Sequence, residues 1–519
     1  MKFPFCLCIA LAFLTSHACF SQQGQNYTVI PHGLTADSVL KIAATVKPDQ
    51  RQAGWQELEF TVFFHFGINT FTDLEWGKKN TKPGVFNPSE LDARQWIRTA
   101  KEAGAKLAIL VAKHHDGFCN WPSKFTEYSV KNSPWKNGHG DVVKEVSDAC
   151  REYGLKFGVY VSPWDINSKV YGSDEYNSYF KNLLTEVLTN YGEVSEVWFD
   201  GACGEGPNGK KQVYDWAGYY ELIRKLQPKA VIAIMGPDVR WVGTESGYGR
   251  ETEWSVLPFS SASDHKIAAG SQQTAGATGF VPPIDMMQQD LGSRDKLFGA
   301  DRLIWYPSEV DVSIRPGWFY HNCDDSLVKS PEKLADIYFS SVGRNSVLLL
   351  NIPPDKRGLI HENDIKNLRD MRTLLDSCFS VNIARGAVII PLNGNLKSKA
   401  ENMTDHNPST FWTSKKGITC ASFIMELKQI SYFNCLSIQE NIKNGQRVES
   451  FLVEIPEGKS WKVIASETTI GYKRLLRFPR VKSGIVRIRI TSSRGNPEIS
   501  EIGLFLIPER LVPLTSHKN

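Results

Sequence analysis

Several absences narrow the function of this 519-residue chain before any motif is considered. No cysteines are spaced CxxC, and there is no HExxH and no two-histidine helical face, so the common zinc patterns are missing. No GxGxxG opens a helix after the first apolar run, which counts against a dinucleotide-binding sheet. No GxSxG elbow is present, which counts against a Ser-His-Asp esterase. Beyond the N-terminus no apolar run reaches 18 residues, so no membrane insertion is expected. Excess charge is also lacking: 60 basic against 56 acidic residues gives +4, too little for a nucleic-acid or lipid-binding face. There is no internal repeat and no low-complexity tract, and 41% hydrophobic with 22% charged residues is an ordinary globular balance.

Tryptophan is abundant. Twelve of the 14 lie between Trp55 and Trp318. Such rings fill cores, and they also form the flat walls that hold the C–H faces of a sugar.

The first residues, MKFPFCLCIALAFLTSHACFSQQ, carry one lysine, an apolar stretch of 12 residues and then small residues up to Ser21. This pattern is expected of a secretory leader over residues 1–21, with a mature chain that is secreted into the periplasm. Cys6, Cys8 and Cys19 fall in that leader. The other seven cysteines are widely spaced and are expected to be mostly buried free thiols, with Cys420–Cys435 as a conceivable pair.

From about residue 55 to 355, apolar runs alternate with amphipathic ones. The expected strands are FTVFFHFG, KLAILVAKHHDGF, KFGVYVSPWD, SEVWFDG, KAVIAIMGPD, a weak one at Trp241 to Glu245, RLIWYPSEVD and NSVLLLNIPP. Unbroken apolar strands separated by helices indicate a parallel sheet covered on its outside. Eight of them over some 300 residues indicate a (β/α)8-type TIM barrel rather than an open doubly wound sheet. Phe259 to Phe280 reads as a long loop, and Glu362 to Phe379 as a connecting helix. Beyond it, short alternating runs such as ESFLVEIP and GIVRIRIT read as an all-β sandwich. The expected organisation is a leader (1–21), a barrel (22–380) and a sandwich (381–519).

The active site of such a barrel forms at the carboxyl ends of its strands. Here those ends carry His65, His114, His115, Asp116, Trp164, Asp165, Trp198, Asp200, Asp238, Glu245, Glu309, Asp311 and Arg315. A pocket rich in carboxylates and tryptophan, with no metal pattern, points to glycoside hydrolysis by two carboxyl groups. Neutral imidazoles, each with one donor and one acceptor, suit sugar hydroxyls. Trp198 and Asp200 are two apart on a strand and should point the same way.

HFG at His65, KHHDGF at Lys113, SPWD at Ser162, WFDG at Trp198, GPDVRWVG at Gly236, RPGWFYH at Arg315 and LLLNIPP at Leu348 resemble the α-L-fucosidases of glycoside hydrolase family 29. The closest likeness is to the branch acting on α-1,3/1,4-linked fucose. AENMTDHNPSTFWT at Ala400 is similar to the galactose-binding-like β-sandwich often joined to such barrels, and Asp405 to Thr410 to a loop that contributes Ca²⁺ ligands in some of them.

The resemblance implies an exo-acting, retaining enzyme with Asp200 as nucleophile. Glu245 matches the acid/base by its place in VRWVGTESG, where Thr244 departs from a common Asn, and Glu251 and Glu253 are rivals. His65, His114 and His115 match fucose-hydroxyl binders, and Glu75 and Trp76 a pocket-lining pair. Trp198, Trp318 and Trp164 are expected on the walls, with Trp164 preferred over Tyr160. Asp238, Arg240, Glu309, Asp311 and Arg315 either bind the aglycone or form an ion-pair network on the rim. The expected partner is a fucosylated oligosaccharide or glycoconjugate, with no cofactor and no nucleic acid. Oligomeric state is not legible. A broad α-1,2/1,6-fucosidase, a glycosidase for another deoxy or galacto sugar, and a non-catalytic carbohydrate binder are the alternatives.

Overall fold

The computed structural model describes residues 26–259, 288–392 and 398–513. The expected leader, and all but the first residue of the expected Phe259–Phe280 loop, lie outside them.

Eight parallel strands form the core of the larger domain: β1 (Phe60–Phe64), β2 (Leu107–Lys113), β3 (Lys156–Val161), β4 (Glu196–Phe199), β5 (Val231–Ile234), β6 (Arg240–Trp241), β7 (Ser308–Ser313) and β8 (Ser346–Asn351). Their hydrogen-bonded order is β5-β4-β3-β2-β1-β8-β7-β6. This is a (β/α)8-type TIM barrel whose ladder is open only at the seam between β5 and β6. The strands read as unbroken apolar runs because both faces are buried. Phe63, Ile109, Val111, Tyr160, Trp198 and Leu349 fill the barrel. Their neighbours Val62, Phe64, Leu110, Val159, Phe199 and Leu350 pack outward against the helices. The amino-terminal mouth is plugged by the helix Gln50–Gln56, whose Trp55 joins the interior cluster.

The expected seventh strand is in fact two. Arg302–Trp305 leaves the barrel and pairs antiparallel with Tyr27–Val29 and Val256–Phe259, and only Ser308–Ser313 continues as β7. Between them, at Tyr306 and Pro307, the chain passes from one sheet to the other; a proline has no N–H to give a ladder.

The helix Glu362–Phe379 closes the barrel, and an all-β antiparallel domain follows. Two 20-residue strands, Ala421–Glu440 and Arg474–Ser493, run through it, and register shifts between Glu426/Ser431 and Phe433/Cys435 bend them around an apolar core that includes Trp412, Phe423, Phe433 and Phe451. It is docked firmly on the barrel. Lys473 pairs with Glu59 at 2.5 Å, Arg474 Nη1 donates to the Glu251 carbonyl at 2.6 Å, and Gln446 Nε2 donates to the Glu253 carbonyl at 2.9 Å.

None of the seven cysteines outside the expected leader forms a disulfide, and five of them are buried. Cys420 and Cys435 do not pair: Cys435 is buried in the long strand, while Cys420, exposed just before it, contacts the Thr491 carbonyl. In the loop resembling a Ca²⁺ ligand set, the Asp405 carboxylate accepts from Asn407 N–H at 2.9 Å and the Thr410 hydroxyl at 2.7 Å.

Candidate active site

A cavity of about 120 Å³ opens at the carboxyl ends of the strands, lined by Phe63, His65, Glu75, Trp76, His114, His115, Tyr160, Trp198, Asp200, Ala202, Glu245, Asp311 and Trp318. The alternation that fills the barrel also builds this cavity. Trp198 points inward, Phe199 outward, and Asp200, one residue past β4, inward again.

Asp200 is the fixed carboxylate of the cavity. Its Oδ1 accepts from Ala202 N–H at 2.6 Å and its Oδ2 from the Tyr160 hydroxyl at 3.1 Å. His115 Nε2 stands 3.8 Å from Oδ2. Tyr160 is in turn stacked on Trp198, with centroids 5.1 Å apart, and Trp198 is anchored from below by donating its indole N–H to Glu309 at 2.7 Å.

The three histidines are neutral. Burial holds His65 down to about 3 and His115 down to about 4, and it lowers His114 still more firmly with help from its two histidine neighbours. Their partners set what each shows the cavity. His65 Nδ1 meets Asn351 Oδ1 at 2.8 Å, and the amide nitrogen of Asn351 is committed to the Trp318 carbonyl at 2.7 Å. His65 therefore donates from Nδ1 and keeps Nε2 as an acceptor. His114 Nδ1 faces the Asn69 amide nitrogen at 3.5 Å, whose other contact is the Glu75 carbonyl at 3.2 Å. That assignment leaves His114 with a donor at Nε2.

Glu245 lies exposed at the lip, past β6. The Trp318 indole N–H reaches its Oε2 at 3.3 Å. Enclosure by protein, then the charges of Asp200 and Glu75, push its pKa up against that hydrogen bond. Glu75 lines the wall, but its oxygens serve the chain opposite. They accept from Trp318 N–H at 3.0 Å, from Phe319 N–H at 3.3 Å and from His321 Nε2 at 2.7 Å. Gly317 permits this approach, since a Cβ there would lie 2.5 Å from Glu75 Oε1.

Nine of the ten expected site residues line this one cavity. Trp164 is the exception: it is packed behind His115 and Trp76, with ring centroids at 5.1 and 5.7 Å, and Tyr160 takes the wall position instead. Tyr160 was the better choice because it lies on β3 among the residues that fill the barrel, whereas Trp164 follows Pro163 in a loop. Of the five groups expected on the rim, only Asp311 lines the cavity. Asp238 pairs with Arg224, and Arg315 with Asp364 and Asp325, all scaffold contacts. Arg240 is buried against Glu253, and Glu309 lies beneath Trp198. The rivals of Glu245 are likewise placed elsewhere. Glu253 is held between Arg240 and Arg250, and the Glu251 backbone sits at the joint with the β-domain.

The remaining motif residues brace the site. Lys113 Nζ donates to the carbonyls of Ser162 and Trp164 at 2.8 and 3.0 Å, tying KHHDGF to SPWD. Gly117, at φ +88°, leaves room for Asp165.

The α-L-fucosidase family profile matches residues 76–246 and 284–377. The chain is 41% identical over 468 residues to α-L-fucosidase 1 of Arabidopsis thaliana, covering 88% of this chain and 87% of that one. A Bacteroides ovatus crystal structure, provisionally described as an α-L-fucosidase, is 49% identical with a TM-score of 0.82, covering 95% of this chain and 79% of that one. A Ruminococcus gnavus family 29 fucosidase in complex with fucose is 31% identical with a TM-score of 0.78, covering 90% of this chain and 96% of that one. With its barrel, its carboxyl-lined cavity and these likenesses taken together, the chain belongs to the α-L-fucosidases of glycoside hydrolase family 29.

Proposed function

We propose that the protein is a secreted, exo-acting, retaining α-L-fucosidase that removes α-1,3/1,4-linked terminal fucose through a covalent fucosyl-Asp200 intermediate. The observation that carries this reading is Asp200 itself, an anchored carboxylate inside a cavity walled by histidines and tryptophans, with a second carboxyl at the lip. In the first step an Asp200 oxygen bonds to the anomeric carbon while the glycosidic C–O bond breaks. The departing oxygen takes the proton of Glu245. In the second step water gives a proton to the Glu245 carboxylate and its oxygen displaces Asp200, so two inversions return the original anomer. The raised pKa of Glu245 supports the first role, because the group must enter the cycle protonated.

Neutral histidines support the sugar assignment. His65 offers an acceptor, His114 a donor, and Trp76, Trp198 and Trp318 supply apolar faces for the ring and its C6 methyl. The linkage preference rests on the sequence motifs, secretion on the leader-like segment, and a galactose-binding-like role for the β-domain on AENMTDHNPSTFWT.

Treatment with a 2-deoxy-2-fluoro fucosyl donor, followed by peptide mass analysis, tests the mechanism: the label is expected on Asp200, and a label on another side chain overturns it. A panel of fucosylated oligosaccharides tests the linkage. Free fucose from branched Lewis trisaccharides, with little from simple aryl fucosides, is the expected result. Equal release from α-1,2 and α-1,6 linkages makes it a broad fucosidase instead.

A further inference from the structure

We propose that Asp311 is a fucose-binding residue that uses its own proton to donate a hydrogen bond to a hydroxyl of the ring seated beside Asp200. This rests on the reading that the cavity seats fucose.

The sequence SEVDVS of β7 places Val310 and Val312 toward the helices, so Glu309, Asp311 and Ser313 face the barrel interior. They occupy three levels. Glu309 holds Trp198 below the cavity, Asp311 lines the cavity, and Ser313 meets Asn351, the partner of His65, above it. Asp311 is 4% exposed, and that remnant opens on the cavity. Its Oδ1 accepts from the Trp241 indole N–H at 2.7 Å. Among the described residues no donor from another residue reaches its Oδ2, so one oxygen remains for a ligand.

No lysine or arginine pairs with Asp311 among the described residues. The ionisable groups facing it are carboxyls: Glu245 toward the lip and Glu309 beneath. An isolated buried carboxylate between two other acids is unfavourable, and the group relieves this by keeping its proton. Burial first, then Glu245 and Glu309, raise its pKa well above the usual carboxylate range against the opposing N–H groups of Trp241 and of its own backbone. A protonated acid is an O–H donor. That complements His65, two strands away around the barrel, which presents an acceptor, and it leaves Asp200 as the carboxyl group positioned to attack.

Asp311→Asn keeps a donor and an acceptor of the same shape, whereas Asp311→Ala and the near-isosteric Asp311→Leu keep neither. The readouts are KM for a Lewis trisaccharide and the inhibition constant of free L-fucose. In the Ala and Leu variants both should rise together by about tenfold, the scale of one lost hydrogen bond to ligand. In the Asn variant both should stay within about threefold of wild type. Three results overturn the proposal: an unchanged fucose inhibition constant in both apolar variants, a KM that moves alone, or an Asn variant as impaired as Leu. Thermal unfolding controls for folding, and the Leu variant decides if Ala unfolds. Fluoro-fucosyl labelling separates the two readings. A label away from Asp200 overturns the mechanism, while the inhibition constants still judge Asp311.

Discussion

The indole nitrogen of Trp318 lies 3.3 Å from Glu245 Oε2, while its backbone N–H lies 3.0 Å from Glu75 Oε2. One residue thus spans the wall and the lip, and Glu75 governs Glu245 without touching it. Glu75→Ala leaves two backbone N–H groups and His321 without their acceptor. It should lower kcat on a natural glycan by about tenfold or more. Gly317→Ala, which drives a Cβ into the same carboxylate, should reproduce the loss. Steady-state kinetics that show a pure KM effect for both would place Glu75 on the sugar instead.

The pH dependence of turnover should carry the mark of Glu245. Its proton is needed by the departing oxygen, so activity falls as pH rises through its pKa. The raised value places that limb above the range of an ordinary glutamate. Glu245→Gln should erase the limb and cost about 10²–10⁴-fold on an oligosaccharide. An aryl fucoside with an acidic leaving group should lose much less, and added azide should restore part of its turnover.

Tyr160→Phe removes the hydroxyl that meets Asp200 Oδ2 but keeps the ring stacked on Trp198. A fall in kcat/KM of about tenfold is expected, with unfolding temperature nearly unchanged. Kinetics equal to wild type would remove Tyr160 from the support of the nucleophile.

Stability should decline as pH rises from the ordinary glutamate range through the raised values of Glu196 and Glu309. Both are fully buried, each carrying the indole N–H of a tryptophan, Trp55 or Trp198. Burial raises both, and Glu309 is raised further by Glu196. The folded state therefore binds more protons than the unfolded one above the ordinary glutamate range of about 4.3, and stability falls as pH climbs through the folded pKa values. Thermal melts from acid to alkaline pH should show this fall. Glu196→Gln with Glu309→Gln should flatten it.

The β-domain should be indispensable for folding. Removing residues 381–519 strips Lys473 from half-buried Glu59, and it takes Gln446 and Arg474 from the carbonyls of Glu253 and Glu251. Expression of the barrel alone should give aggregated protein, and a soluble barrel with the wild-type melting temperature would contradict the joint described here.

The barrel was legible because two-sided burial writes itself as apolar strands, and the rim because polar groups gather at their carboxyl ends. Asp200, His65, His114 and His115 could be placed by that rule alone. Depth was not legible. Glu309 and Asp311 look equivalent in SEVDVS, yet one lies under Trp198 and the other in the cavity, a difference of one barrel layer. Nor could the sequence show that Asp238, Arg240 and Arg315 face partners supplied from distant segments, Arg224, Glu253 and Asp364. The switch at Tyr306 and Pro307 was hidden because only two residues separate the two strands.

The open seam between β5 and β6 separates the two chemical halves of the site. Asp200 follows a strand laddered on both sides, within a run from β1 to β5, whereas Glu245 hangs from a two-residue strand attached along one edge only. The proposed nucleophile is thus fixed by the frame, and the proposed proton donor rides on a border. Substitutions along that border can retune which leaving sugars are accepted without disturbing the carbon–oxygen exchange itself. Such a division lets one scaffold serve glycans that differ only in how fucose is attached.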